Sequence, residues 1–226
     1  MTTTAPPNPF DPSSQGEGRL DAPAFHRNHE AIWSVLAPWL LTQSGNVLEA
    51  GSGTGQHVVE FARQSPDIVW WPSDYSGAHV RSIDAWRLHS GLGNIRPPRC
   101  IDLAAPDWGL SADDSRTLRN LTAIFCANVV HIAPWNVAEG LLGHAADRLE
   151  KDGRLYLYGP FMRDGQHTAP SNAAFDASLR RQDPEWGVRD IAALRAVAAT
   201  SRLRLADIVP MPANNFILVF ECTSKT

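Results

Sequence analysis

The residues best suited to chemistry lie between Glu49 and His57 of the 226-residue chain, in the run Glu-Ala-Gly-Ser-Gly-Thr-Gly-Gln-His. Val47, Leu48 and Ala50 are apolar enough for a buried strand. Gly51, Gly53 and Gly55 follow with Ser52 and Thr54 between them, and Val58, Val59, Phe61 and Ala62 then recur at helical spacing. A strand that ends in glycines and re-enters as a helix is a nucleotide-binding turn. Glycine takes backbone angles barred to other residues and lets main-chain N–H groups come close to a ligand. A dinucleotide turn needs G-x-G-x-x-G, and Gln56 stands where its third glycine belongs. The carboxylate of Glu49 beside the turn suits a cofactor bearing positive charge better than one bearing a pyrophosphate.

Further polar residues fall where a doubly wound sheet collects ligands, at the carboxyl ends of its strands. Residues 68–71 read as a second buried strand. Asp74 follows it about twenty residues past the glycines, placed to accept both hydroxyls of a ribose; standing alone, it would be a helix cap. Asp102 closes a short third strand on the same edge. Residues 121–127 form a fourth strand with Asn128 at its end and His131 just beyond. An imidazole at this edge is either a satisfied core group or a contact for substrate or cofactor. The fifth strand starts at Arg154 and is expected to end at Tyr158 or Gly159. The stretch 159–189 that follows is rich in polar and aromatic residues, among them Phe161, His167, Asn172, Phe175 and Trp186. Its length and polarity predict a lid or substrate-binding insertion.

The elements that must position these groups are those of one α/β domain. A helix is expected from Pro23 through Leu40, others at 56–64, 78–90, 136–149 and 190–201, and closing strands at 203–211 and from 216. The chain is long enough for a sizeable core. Residues 1–18 hold four prolines and are expected to be a disordered tail; 19–226 are expected to be a single domain. Net charge is −4 with no run of Lys or Arg, which disfavours a nucleic-acid partner. Cys100, Cys126 and Cys222 lack metal spacing and read as buried free thiols of a reducing compartment. Neither a signal peptide nor a span-length apolar run is visible. The expectation is a cytoplasmic protein, monomer or homodimer, without membrane partner or bound metal.

The form acidic-x-G-x-G-x-G resembles the first motif of class I S-adenosylmethionine (SAM) methyltransferases. Later motifs extend the likeness over roughly residues 20–222: Arg27-Asn28, His57, Trp71-Pro-Ser-Asp74, Asn128-Val-Val-His-Ile-Ala-Pro-Trp135, Tyr158-Gly-Pro-Phe161, Ser171-Asn172, Phe175-Asp176 and Glu185-Trp-Gly-Val-Arg-Asp190. Together they are similar to the family that includes methyltransferase-like protein 26, whose bacterial members carry a domain of unknown function. The resemblance implies a Rossmann-like, seven-stranded class I fold with a mostly parallel sheet, an antiparallel last strand and helices on both faces. It implies SAM as cofactor and S-adenosylhomocysteine (SAH) as product. Cofactor contacts would come from Arg27, Asn28, Glu49, Gly51 to Gly55, His57, Asp74, Tyr75, Asp102, Leu103, Asn128 and Val129. His131 and Tyr158 are the candidate catalytic groups, with His131, Phe161, His167, Asn172 and Trp186 facing a small-molecule acceptor.

Methyl transfer is an in-line displacement whose leaving group is already activated, so the protein's work is positioning and proton removal. The chain has no Asn-Pro-Pro-Tyr after the fourth strand, which removes support for amino methylation of a base or glutamine. The rival readings are a nicotinamide reductase, which lacks its third glycine, a SAM enzyme of non-methyl chemistry such as cyclisation of the aminobutyryl arm, and a non-catalytic SAM-binding regulator.

Overall fold

The computed structural model describes residues 13–14 and 18–222. Of the expected tail 1–18, all but 13–14 and 18 lie outside the described residues; Ser13–Ser14 pair antiparallel with Leu20–Asp21. The remainder is organised on a seven-stranded sheet. Its strands are β1 (Gly45–Ala50), β2 (Ile68–Asp74), β3 (Arg99–Cys100), β4 (Leu121–Ala127), β5 (Leu149–Gly159), β6 (Leu203–Met211) and β7 (Asn215–Cys222). Their order across the sheet is β6-β7-β5-β4-β1-β2-β3. β1 lies parallel to β2 and β4, and β4 parallel to β5. β7 runs antiparallel to β5 and β6 on either side of it. This is the seven-stranded α/β architecture expected from the resemblance, antiparallel last strand included.

Alternation along the central strands sorts the core onto two faces. Leu48, Ile124, Cys126, Leu155, Leu157, Leu218 and Phe220 point to one face with Ala138, Leu141, Leu142, Leu194 and Ala198. Those partners belong to α5 (Trp135–Arg148) and α7 (Ile191–Thr200). Val47, Ala123, Phe125, Tyr156, Ile217 and Val219 point to the other, against α1 (Pro23–Leu40) and α2 (Gln56–Gln64). The buried stripe of α1 is Asn28, Ile32, Leu36 and Leu40, one residue per turn on a single face. Asn28 is therefore drawn inward by the same periodicity that buries the three apolar residues.

Several boundaries differ from expectation. β2 runs on through Pro72 to Asp74, and Pro72 pairs with Glu49. β5 begins at Leu149, because Asp152 takes a left-handed φ of 66° and a register shift carries the chain across the turn at 152–153. Residues 104–120 contain a short 3₁₀ turn and the one-and-a-half-turn helix α4 (Ala112–Thr117). The insertion 159–189 is mostly regular: short strands at Phe161–Arg163 and Gln166–His167, then the helix α6 (Pro170–Gln182). The cysteines correct the expectation that all three are buried. Cys126 is, but Cys222 is only half-buried, and Cys100 is exposed because β3 is a two-residue edge strand.

Among the described residues, no helix is long and apolar enough to cross a membrane.

Candidate functional site

Two chambers open at the carboxyl ends of the parallel strands, and they adjoin: Ala24 and Asn128 belong to the walls of both. The first has a volume of about 580 Å³ and the second about 360 Å³.

The first chamber is built from the glycine turn. Gly51 and Gly55 have φ of 75° and 93°, angles that L side chains rarely adopt. Space forbids a side chain as well: a Cβ at Gly51 would overlap Val129 Cγ2, and one at Gly55 would lie 2.8 Å from Ile83 Cα in α3 (Gly77–Ser90). The turn is clamped from three directions. Ser52 N donates to the Ser73 carbonyl (2.7 Å), Gly53 N donates to Asp74 Oδ2 (2.8 Å), and Thr54 Oγ1 donates to Gln56 Oε1 (2.9 Å). Gln56 accepts from Ala22 N at 2.7 Å and donates through Nε2 to Asp21 Oδ1 at 2.5 Å. The residue that breaks the dinucleotide pattern thus ties the turn to the segment entering α1, whose Ala22, Ala24 and Phe25 form part of the chamber wall.

Asp74 is not the cap of α3, which is Ser76. Its carboxylate braces the turn instead: Oδ2 accepts from Gly53 N, and Oδ1 accepts from Ser76 N (2.8 Å) and pairs with His79 Nδ1 (3.1 Å). A carboxylate offers about four accepting positions, so room remains for a further hydroxyl. The bond to Asp74 raises the His79 pKa above the ordinary imidazole value. Tyr75, beside it, is 74% exposed at the chamber mouth. Asp102, Leu103, Asn128 and Val129 line the same chamber, with Ser52, Gly53, Thr54 and His57. Glu49 stands behind the wall and is almost wholly buried. Burial, with the charge of Asp74 adding to it against a bond from Ser52, lifts its pKa to about 8, and among the described residues Oε2 has no hydrogen-bond partner.

The second chamber lies between α1, the end of β5 and the start of α6. Arg27, Asn28, His131, Tyr158 and Asn172 all line it, so Arg27 and Asn28, expected at the cofactor, face the neighbouring chamber. Asn28 Oδ1 accepts from His57 Nε2 at 2.9 Å, and the Asn28 side chain also hydrogen-bonds the Tyr158 phenol. Burial depresses His57 to about 3, with His29 adding to the effect. His131 likewise falls to about 3, through burial and then the charge of Arg189. Both imidazoles are neutral at pH 7. Burial raises the Tyr158 pKa, opposed by the Asn28 bond and the Arg27 charge. The His131 loop is pinned to the insertion: Arg189 donates to the Val130 and Ala133 carbonyls, and Gly187 N donates to the His131 carbonyl.

The insertion contributes unevenly. Asn172 is buried, donates to Thr168 Oγ1 and the Asn214 carbonyl, and lines the second chamber with Ser171 and Phe175. Trp186 reaches the first chamber. Phe161 departs from the expectation of a substrate contact: it is wholly buried in the core that includes Ile191 and Leu194 of α7, because the short strand it starts packs beneath that helix. His167 lines neither chamber and lies 3.7 Å from Asp176 Oδ2. Sequence reasoning did not single out Phe25, His79, Pro134 or Asn136 in the first chamber, nor Asn214 and Asn215 in the second. Phe25, His79 and Asn136 sit in the first turns of α1, α3 and α5, and their place at the chamber becomes visible only when the strand order brings those helix starts to one edge.

A family model described as "Protein of unknown function (DUF938)" matches residues 19–222. The chain belongs to this family. Its structure is similar to an O-methyltransferase family protein from Burkholderia thailandensis, with a TM-score of 0.72 at 14% identity over 90% of this chain and 58% of the other. It is also similar to mitomycin 7-O-methyltransferase MmcR (TM-score 0.66, 14% identity, 88% and 56% covered). A third likeness is to CalO1, a methyltransferase in calicheamicin biosynthesis, in an SAH-bound form (TM-score 0.61, 16% identity, 87% and 56% covered). The chain spans little more than half the length of these proteins, and at such identities the likeness is one of fold.

Proposed function

We propose that the protein is a SAM-dependent methyltransferase acting on a small-molecule acceptor, with the cofactor in the first chamber and the acceptor in the second. The observation that carries this reading is the junction of the two chambers at Asn128, where β4 ends. A cofactor and an acceptor seated on either side of that residue would be neighbours. The left-handed φ of 59° at Asn128, tolerated by Asn better than by most side chains, turns the chain sharply at this point.

The donor set suits SAM. A chamber of this size falls in the usual range for ligand sites. Asp74 and Asp102, at the ends of β2 and β3, offer acceptors for a ribose and for an exocyclic amine, and Tyr75 and Leu103 offer flat or apolar surface. Glu49, whose buried Oε2 has no hydrogen-bond partner among the described residues, stands beside the turn in its neutral form, and a positive charge there would draw its raised pKa down and favour the carboxylate. When bound, SAM would supply a methyl group on a sulfonium. The chain's part is to orient the acceptor, exclude water and take up a proton where the acceptor carries one. Neutral His131 and the Tyr158 phenol are the groups in the second chamber able to accept or relay it. We further infer that 159–189 acts as a cover, that the protein works as a monomer or homodimer in the cytoplasm, and that its family includes methyltransferase-like protein 26, whose motifs it resembles.

The test is binding followed by turnover. SAM and SAH should each raise the melting temperature, because a ligand at a hundred times its Kd stabilises the native state by about 2.7 kcal/mol; NADH should not. A shift with NADH and none with either SAM compound would overturn the assignment. Turnover is then sought by incubating the protein with SAM and metabolite pools and reading product masses for the gain of one methyl.

A second measurement addresses Asp74. Asp74→Asn keeps the size of the side chain but removes the charge. It should weaken SAH by roughly 1.5–3 kcal/mol, the range for hydrogen bonds to charged groups. Calorimetry giving wild-type affinity would confine Asp74 to bracing the turn.

A further inference from the structure

We propose that the second chamber selects acceptors bearing an acidic group, a carboxylate or a phosphate-like anion, which the Arg27 guanidinium holds. The proposal rests on the methyltransferase reading only in calling the ligand an acceptor; the charge preference belongs to the chamber itself.

Four observations lead to it. No Asp or Glu is among the residues lining the chamber, although the chain as a whole is acidic, with a net charge of −4. Arg27 is the one Arg or Lys on its wall. Among the described residues Arg27 joins no ion pair, unlike Arg154 and Arg204, which both face Glu221. The remaining polar wall consists of uncharged groups: the hydroxyls of Tyr158 and Ser171, several Asn amides and the His131 imidazole, neutral at pH 7.

These groups differ in how far they are already committed. Asn172 is spent on Thr168 and Asn214, and Asn28 on His57 and Tyr158. They shape the chamber without offering a free anion partner. Arg27 is exposed on its solvent side, yet its charge is felt by the Tyr158 phenol on the opposite part of the wall. An ammonium-bearing acceptor would meet that guanidinium with no carboxylate in the wall to offset the repulsion. An acid meets a five-donor planar group suited to pairing with two oxygens at once. Phe175, Pro160 and Pro212 supply apolar surface for the body of such a molecule.

The experiment uses the full chain and four probes of one shape: benzoate, phenylphosphonate, benzamide and benzylamine. Affinities are read by ligand-detected NMR on wild type, Arg27→Gln and Arg27→Lys, with melting temperature as the check on folding and SAH affinity measured on the same samples. Wild type should bind at least one acid about five- to tenfold more tightly than benzamide, with benzylamine weakest. Arg27→Gln should erase the preference, and Arg27→Lys should keep part of it. Benzoate ahead of phenylphosphonate assigns a carboxylate; the reverse order assigns a phosphate-like group. Equal binding of benzoate, phenylphosphonate and benzamide, failure of both acids to bind, or an acid preference unchanged in Arg27→Gln would overturn the proposal. SAH failing to bind while the Arg27-dependent preference persists would instead overturn the cofactor reading and leave this one standing.

Discussion

Gly140→Ala should destabilise the protein by about 3 kcal/mol or more, placing it among the costliest single substitutions in the chain. Gly140 lies inside α5, where alanine would ordinarily favour the helix by up to about 1 kcal/mol. Here the helix passes so close to the chain leaving β3 that a Cβ would overlap the carbonyl oxygen of Leu103 and lie 3.0 Å from its carbonyl carbon. Trp108 Nε1 also donates to the Gly140 carbonyl at 2.9 Å, fixing the two segments together. Neither neighbour is a flexible side chain, so α5 or the chamber wall at 103–104 must move. Gly143, on the same helix, has nothing within 4 Å of its added Cβ. Gly143→Ala should therefore be neutral or stabilising. Urea unfolding of the two variants checks the pair of signs. A Gly140→Ala protein as stable as Gly143→Ala would mean that α5 does not approach Leu103 in the way described. Because Leu103 and Ala104 line the first chamber, Gly140→Ala should also weaken SAH at temperatures where the variant is still folded.

Glu49→Gln should remove a loss of stability that the wild type suffers as pH rises from 6.5 to 8. Burial holds the Glu49 carboxyl protonated up to a pKa of about 8, against 4.5 for the unfolded chain. Between those values the native state keeps a proton that the unfolded state has released. The Glu49 contribution to stability therefore falls as pH rises through the window, by a total on the order of 5 kcal/mol. His57 and His131 act in the opposite sense lower down. Their pKa values are depressed to about 3, so unfolding takes up protons between 3 and 6.5, and stability rises with pH there and is level above. His79, raised by its bond to Asp74, adds a fall that begins only above 6.5 and is common to both proteins. The diagnostic is accordingly the difference between wild type and Glu49→Gln. The two stability curves should diverge progressively from about pH 4.5 to about pH 8, with the glutamine variant the more stable at pH 8. Parallel curves from chemical unfolding at half-unit pH steps would show that Glu49 is ionised in the folded protein.

Much of the architecture follows from sequence because the cues are local. The glycine turn announces itself by the coincidence of a buried strand, positive-φ residues and a helical repeat, all within a stretch shorter than a strand and a helix. The stripe Asn28, Ile32, Leu36, Leu40 is equally local, since a helix buries whatever falls on its inner face. The antiparallel last strand, by contrast, is implied only by the family resemblance, and the sorting of the core onto two faces emerges from the strand pairing. What sequence left open depends on contacts between distant segments. Asp74 reads as a ribose ligand or a helix cap, and only the fold brings the backbone of Gly53 to it, twenty-one positions away. Gln56 marks a departure from the dinucleotide pattern; its bonds to Asp21 and Ala22 come from the packing of the entering segment against the turn. Phe161 looks like a substrate contact among polar neighbours, and the docking of α7 turns its surroundings into core. The division into two chambers, with Arg27 on the wall of the second, is likewise set by how α1 and α6 close over the ends of β4 and β5. Local pattern decides which face of an element is apolar; which elements then meet, and so which polar groups share a cavity, is decided by packing across the whole sheet.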